Sequence, residues 1–135
     1  MANALYNKTK KLILDGDVDL LNDTIKIVLV DGDSYVFSQG HDFLDDIGSG
    51  DRVATSAALT SKTTTDGAFD AADVTFAALT GNTVVAWVLY KDTGTASTSP
   101  LIAFFDRVSG GGALSYTPNG SSFTLQFGAS GIFTI

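Results

Sequence analysis

Thr83 to Tyr90 reads TVVAWVLY, the longest apolar run in the chain, and it carries no charge on either face of an extended strand. β-branched and aromatic residues dominate it, with turn signals at Gly81-Asn82 before it and Lys91-Asp92-Thr93-Gly94 after it. Side chains alternate along a strand, so Val84, Ala86, Val88 and Tyr90 are expected on one face and Val85, Trp87 and Leu89 on the other. A strand apolar on both faces is central and needs cover on both. The expected cover is a second sheet on one side and a helix or a neighbouring subunit on the other.

Upstream, Asn3 to Asp15 has helical spacing: Leu5, Tyr6, Thr9, Leu12 and Ile13 form one stripe, while Asn7, Lys8, Lys10 and Lys11 lie off it. Gly16 supplies the stop. The lysines, read as lying in the later half of this helix, suit the negative end of its dipole. Thr24 to Asp31, TIKIVLVD, is a strand with Ile25, Ile27 and Leu29 on one face and Lys26, Val28 and Val30 on the other, broken by Asp31-Gly32-Asp33-Ser34. Tyr35-Val36-Phe37 is a short extended piece. Phe43, Leu44 and Ile47 have i, i+1, i+4 spacing, which predicts one or two helical turns plugging an end of the core, closed by Gly48-Ser49-Gly50-Asp51.

From Arg52 onward the reading is almost entirely β. Val53, Thr55, Ala57 and Leu59 alternate with Ala54, Ser56 and Ala58, and Ser61 to Thr65 continues as an exposed strand or ribbon. After the Asp66-Gly67 turn, Asp73 to Leu79 is a strand with Val74, Phe76 and Ala78 pointing one way. Beyond TVVAWVLY, the Thr93 to Ser99 loop is expected to be flexible and too long for a tight hairpin, hence a candidate contact loop. Pro100 marks an edge or a strand start, and Leu101 to Asp106 is the strand that follows. Val108 to Gly112 is the most flexible point, and Leu114 to Tyr116, the turn Thr117-Pro118-Asn119-Gly120, the strand Phe123 to Phe127 and the turn Ala129-Ser130-Gly131 follow. Ile132 to Ile135 is a last strand tied into a sheet. About eight strands separated by regularly spaced turns point to a sandwich or a barrel.

The 135 residues are most simply one domain. There are no cysteines, which excludes thiolate catalysis, Cys-type zinc sites and disulfides. All fifteen acidic residues are aspartates, and the net charge of −7 argues against a nucleic-acid surface. The opening MANALYNKTKK lacks the apolar core of a signal peptide, and no apolar run is long enough to span a bilayer. The expected site of synthesis is the cytoplasm, where the triplets at Asn7, Asn22 and Asn119 meet no glycosylation machinery. The basic amphipathic helix is too short and too poor in aromatics for a membrane anchor.

The candidate chemistry is weak at each place it occurs. Asp15-Gly16-Asp17-Val18-Asp19 alternates carboxylates like a calcium loop, but Leu20 stands where glycine is needed and Lys26 where a bidentate glutamate is needed. His41 beside Asp42 is the only dyad for nucleophilic catalysis, and no G-x-S-x-G elbow presents a serine to it; Gly128-Ala129-Ser130-Gly131 has the wrong spacing. Gly48-Ser49-Gly50 lacks the third glycine of a dinucleotide fingerprint, Val53 standing in its place. The pairs Asp45 with Asp46, and Asp70 with Asp73, could in principle serve glycoside hydrolysis, yet aspartates in turns are ordinary in β proteins. Trp87, Tyr90, Phe104 and Phe105 lie in apolar runs, which favours core or subunit interface over a sugar-stacking platform. No catalytic, cofactor-binding or metal residue is assigned, and no cofactor is expected. The surplus of apolar and small residues fits a chain that buries surface against copies of itself or a larger assembly.

Read end to end, the chain resembles a family of small tailed-phage structural proteins, some of which are capsid cement or decoration proteins. The likeness is carried by MANALYNK, DTIKIVLVD (Asp23 to Asp31), DFLDDI (Asp42 to Ile47), RVATSAAL (Arg52 to Leu59) and DGAFDAADVTF (Asp66 to Phe76). VLYKDTG (Val88 to Gly94), LIAFFD (Leu101 to Asp106), TPNG (Thr117 to Gly120) and IFTI complete it. The glycine run Gly110 to Gly112 is outside the pattern. The resemblance implies a mainly β fold, a jelly-roll-like antiparallel β-sandwich over residues 24–135 preceded by a helix over 3–15. It also implies a non-enzymatic virion protein on the capsid exterior, with the major capsid protein as partner, a homo-oligomeric state (dimer or trimer), and neither nucleic acid nor membrane bound. The helix and the Thr93 to Ser99 loop are the expected contacts. A phage tail or baseplate component is the alternative, and a carbohydrate-binding module or hydrolase the more distant one.

Overall fold

In the computed structural model, which describes residues 4–32, 35–107, 112–128 and 130–135, the strands are β1 (Ala4–Leu5), β2 (Ile25–Asp31), β3 (Arg52–Thr55), β4 (Ala68–Phe69), β5 (Val74–Phe76), β6 (Val84–Lys91), β7 (Leu101–Phe105), β8 (Phe123–Leu125) and β9 (Phe133–Thr134), with one α-helix, α1 (Asn7–Asp15). Five strands form an antiparallel sheet in the order β1-β7-β6-β2-β3. The TVVAWVLY run supplies β6, which sits between β2 and β7. The chain is therefore mainly β and antiparallel with an N-terminal helix. Two ribbons, β4–β9 and β5–β8, make the second layer, an arrangement compatible with a jelly-roll-like sandwich.

The two faces of β6 bury two separate clusters. On the first, Ile25, Ile27, Leu29, Trp87 and Leu89 pack under Phe69, Phe76 and Leu125 from the ribbons. Trp87 is only 8% exposed and stacks on Phe105 with ring centres 4.1 Å apart. On the second, Val28, Val30, Ala86, Val88 and Tyr90 are covered by Tyr6, Leu44 and Ile47, with Tyr35 and Phe37 beside them. Phe37 stacks on Phe104 at 4.5 Å, and Tyr6 meets Phe37 edge-on at 5.2 Å. This cover comes mainly from the irregular segment from Tyr35 to Ile47, joined by Tyr6 at the start of α1, and the turn at Leu44–Asp46 plugs the sheet face rather than an end of the core.

The expected alternation fails at one residue. The register between β2 and β6 slips between Val30↔Ala86 and Asp31↔Val84, leaving Val85 as an extra residue. This bulge moves Val84 into the first cluster, with Trp87 and Leu89, instead of alongside Ala86. It also releases the start of β6 to pair with Tyr116 through two backbone hydrogen bonds of 2.7 and 2.9 Å. Gly32 lies opposite, where a Cβ would stand 3.1 Å from a Val85 methyl group and the valine would have to shift by a few tenths of an ångström to admit it.

Other boundaries shift where a side chain or a neighbouring strand takes over a backbone partner. α1 starts at Asn7 because Ala4 and Leu5 pair with Phe104 and Ala103 of β7. The lysines consequently fall in its first and middle turns and not toward the negative end of its dipole. Gly16, at φ +83°, closes α1 as expected, its amide and that of Asp17 bonding Ile13 and Leu12 carbonyls. β3 stops at Thr55 because the Ser56 hydroxyl accepts the Ile27 amide at 2.9 Å. Ala78 has φ +49° and turns the chain, so β5 ends at Phe76. β8 ends at Leu125, and the Phe127 amide goes to the Asp73 carboxylate. Thr63 and Asp70 exchange two backbone bonds, making the expected ribbon after Ser61. β9 pairs with β4, so the final strand is tied in as expected.

The Thr93 to Ser99 loop is held rather than loose: Ser99 is fully buried, its hydroxyl accepts the Thr93 amide and donates to the Thr95 carbonyl, and the Thr93 and Thr98 hydroxyls meet at 2.6 Å. Asn3, the Asp33-Ser34 end of the first turn, the glycine-rich stretch 108–111 and Ala129 lie outside the described residues.

Leu29 is fully buried at the centre of the sheet. Leu29→Ala should cost about 3 kcal/mol in denaturant unfolding through lost transfer energy and the cavity left behind, while Trp87 fluorescence in the native protein should resist quenching by acrylamide.

Candidate functional site

His41 and Asp42, the one dyad the sequence offers and to which no catalytic role is assigned, are each engaged with other groups. His41 Nδ1 meets the Tyr35 hydroxyl at 3.0 Å, and that hydroxyl meets the Tyr6 hydroxyl at 2.8 Å, making a chain that ties the covering segment to the start of α1. Asp42 instead accepts the Leu101 amide through its carbonyl. Burial pushes the Tyr35 phenol up to about 12, with the Asp46 charge also raising it and the Tyr6 hydrogen bond opposing. Burial raises Tyr6 still further. These shifts follow from placing phenols under an aromatic cover, and they keep both groups neutral at physiological pH.

Several of the aspartates singled out from the sequence accept backbone amides. Asp19 accepts the Leu21 and Asn22 amides and the Asn22 side chain, and its own amide bonds Asp23, so the calcium-like run is a capped turn. Asp46 accepts the amides of Asp42 and Phe43; burial works against its ionisation, but these bonds hold its carboxyl below the usual range. Asp70 accepts the adjacent Ala71 amide, whereas Asp73 accepts the amide of Phe127 and so ties the start of β5 to the end of β8. Gly48-Ser49-Gly50 leads into a tight turn at Ser49–Asp51. Among the described residues no group of three or more histidines and carboxylates could hold a metal ion, and no helix is long and apolar enough to cross a membrane. Tyr90, Phe104 and Phe105 are buried like Trp87, so the aromatic runs are core and not a sugar platform.

The cations are largely engaged as well. Lys26 pairs with Asp92 at 2.7 Å and Lys91 with Asp23 at 3.1 Å, while Lys62 and Arg52 donate to backbone carbonyls. The Lys26 ammonium holds the Asp92 carboxyl below its usual range, and Asp92 in turn raises Lys26. On α1, Lys11 pairs with Asp15 and Lys8 stands 4.8 Å over the Phe43 ring, whereas Lys10 makes only a 3.5 Å contact to Asn7.

Lys10 borders the surface that stands out. Leu14 is 87% exposed, Ile135 69% and Leu21 45%, and they line adjoining grooves of about 180 and 360 Å³ that share Ile13 and Ile135. A further groove of about 300 Å³ runs between Val53–Ala57 at the edge of β3 and Thr75–Thr80, the end of β5 and the turn after it. The helix, one of the two expected contact elements, contributes Leu14 to the apolar surface. That surface was missed in the sequence because Leu14 lies off the stripe of Leu5, Thr9 and Ile13, and its adjacency to Ile135 exists only in the fold. The geometry defines a class, a mainly β antiparallel protein with apolar residues exposed beside α1 and a groove beside β3. No family model matches the chain, and comparison with curated proteins finds no match.

Tyr35 has a raised folded pKa, so its contribution to stability is fully present below the unfolded value of about 10 and is lost as pH rises toward about 12. Unfolding free energy should fall across that window, and Tyr35→Phe should flatten the fall while costing about 1 kcal/mol at neutral pH through the lost hydroxyl bonds. Asp92, with its lowered folded pKa, stabilises above the unfolded value of about 3.9 and loses that contribution on acidification; Asp92→Asn should weaken the acid limb in urea titrations.

Proposed function

We propose that this chain is a non-enzymatic structural protein of a tailed-phage virion, a cement or decoration protein seated on the outer face of the head and bridging neighbouring major capsid proteins. What supports the reading is the resemblance of its segments, taken in order from MANALYNK to IFTI over nearly the whole length, to small tailed-phage structural proteins. Physical support comes from how the side chains are used. Asp46, Asp70 and Asp73, three of the four aspartates weighed for glycoside hydrolysis, each accept a backbone amide. An acidic exterior with a net charge of −7 disfavours adhesion to the packaged nucleic acid. The exposed apolar residues and the edge of β3 offer contact surface.

The mechanism is mass action. A protein that binds only the assembled lattice stabilises it, by about 2.7 kcal/mol per site at a free concentration one hundred times the dissociation constant, and many copies add through multivalency. No group with a tuned pKa is required for this work.

Purified protein mixed with expanded heads that lack it should co-sediment saturably at hundreds of copies per head and raise the temperature at which the heads open. Absence of binding, with the protein recovered in isolated tails, would replace this reading with a tail or baseplate role.

A further inference from the structure

We propose that Asn119 is a self-modification site, whose side-chain amide is lost through a cyclic imide, and that the fold gates this reaction through a clasp at Leu79. Asn119-Gly120 is the one place in the chain where a glycine follows an asparagine; Asn22 and Asn82, for comparison, precede Asp23 and Thr83. Both residues of the pair are exposed. Gly120 has φ +85°, and nothing stands within 4 Å of where its Cβ would be, so no side chain hinders its nitrogen. Two hydrogen bonds hold the pair in the folded chain. The Gly120 amide donates to the Leu79 carbonyl at 2.8 Å, and the Asn119 side-chain oxygen accepts the Ser121 amide at 3.0 Å. The Leu79 amide in turn donates to the Ser121 carbonyl at 3.0 Å, which clasps the turn against a buried residue just beyond β5.

The reaction needs only water as co-reactant, and no redox change occurs. The Gly120 nitrogen gives its proton to solvent base and adds to Cγ of Asn119; the N–Cγ bond forms, the Cγ–Nδ2 bond breaks, and ammonia leaves with a proton from solvent. Water then opens the imide. Attack at Cγ yields aspartate, and attack at the backbone carbonyl yields isoaspartate, whose main chain runs through Cβ and Cγ. While the Gly120 N–H is donated to Leu79, its nitrogen is withheld from Cγ, so cyclisation waits for local opening of the clasp. Either product adds a negative charge to an exposed turn. Isoaspartate also lengthens the backbone ahead of Gly120, so the Gly120 amide and the Ser121 carbonyl no longer both meet Leu79. Leu79 and Thr80 line the groove beside β3, and that wall loosens with them. The inference stands apart from the capsid reading and involves this chain and water alone.

The full chain is incubated in mildly alkaline buffer, with and without urea, and then cut with trypsin, which releases a peptide beyond Arg107 in which Asn119 is the only asparagine. Fragment masses should show the amide NH2 replaced by OH at Asn119, and an isoaspartate methyltransferase should label part of the product. In buffer the rate should lie more than about tenfold below that of the urea-unfolded chain, because the backbone hydrogen bonds to Leu79 have to open first. Leu79→Ala should raise the rate in buffer. A second route to opening does not depend on that variant folding: in urea below the unfolding transition, the rate should climb while Trp87 fluorescence is still native. Gly120→Ala should slow the reaction in the unfolded chain, where the side chain at the attacking nitrogen is the only change. Equal rates in buffer and urea, reaction at Asn22 or Asn82 without reaction at Asn119, no slowing in Gly120→Ala, or a rate that rises only as Trp87 fluorescence is lost would overturn the proposal.

Discussion

The fold depends on the pairing of β6 with β2 and β7 while both faces of β6 are apolar. Those ladders satisfy its backbone hydrogen bonds and leave two rows of side chains that water must not reach. Each fully buried Val, Leu or Ile is worth about 1.5–3 kcal/mol. With cover on both sides, one sheet serves two cores: the ribbons β4–β9 and β5–β8 close the first, and the Tyr35 to Ile47 segment closes the second.

That second cover is a segment with little regular structure of its own, held by specific contacts. Aromatic packing of Phe37 on Phe104 and Tyr6 on Phe37 supplies area, and the Tyr6–Tyr35–His41 hydroxyl and imidazole chain satisfies the polar groups brought in with it. Arg52 adds two bonds to the carbonyls of Leu44 and Ile47 and so ties the segment to β3. The only histidine is thereby explained by architecture, as part of the strap over the sheet.

The same economy governs the charges. Ion pairs such as Lys26–Asp92 and Lys91–Asp23 join the strand ends to the loops beside them, and the turn aspartates replace missing backbone partners. A strongly acidic composition, which in isolation invites a search for paired catalytic carboxylates, is here distributed over the loops one turn at a time. What is left over on the surface is the lysine-bordered apolar groove of α1.

Much of the framework was legible locally. Alternation in TIKIVLVD assigned Ile25, Ile27 and Leu29 to one face and Val28 and Val30 to the other; the charge-free TVVAWVLY run required a central strand; Gly16 marked the end of the helix. These are consequences of side-chain period and backbone freedom, which act over a few residues. Three features were decided only by tertiary structure. Val84 changed faces because a bulge opposite Asp31 let the start of β6 pair with Tyr116, thirty-two residues further along the chain. The helix began at Asn7 because the free edge of β7 captured Ala4 and Leu5. Leu14 came to lie beside Ile135 because β4 and β9 pair, bringing the end of the chain against the first helix. Each depends on a partner distant in sequence competing for the same backbone groups or surface, and residue order carries the strength of a local preference without saying which distant partner will be there to override it.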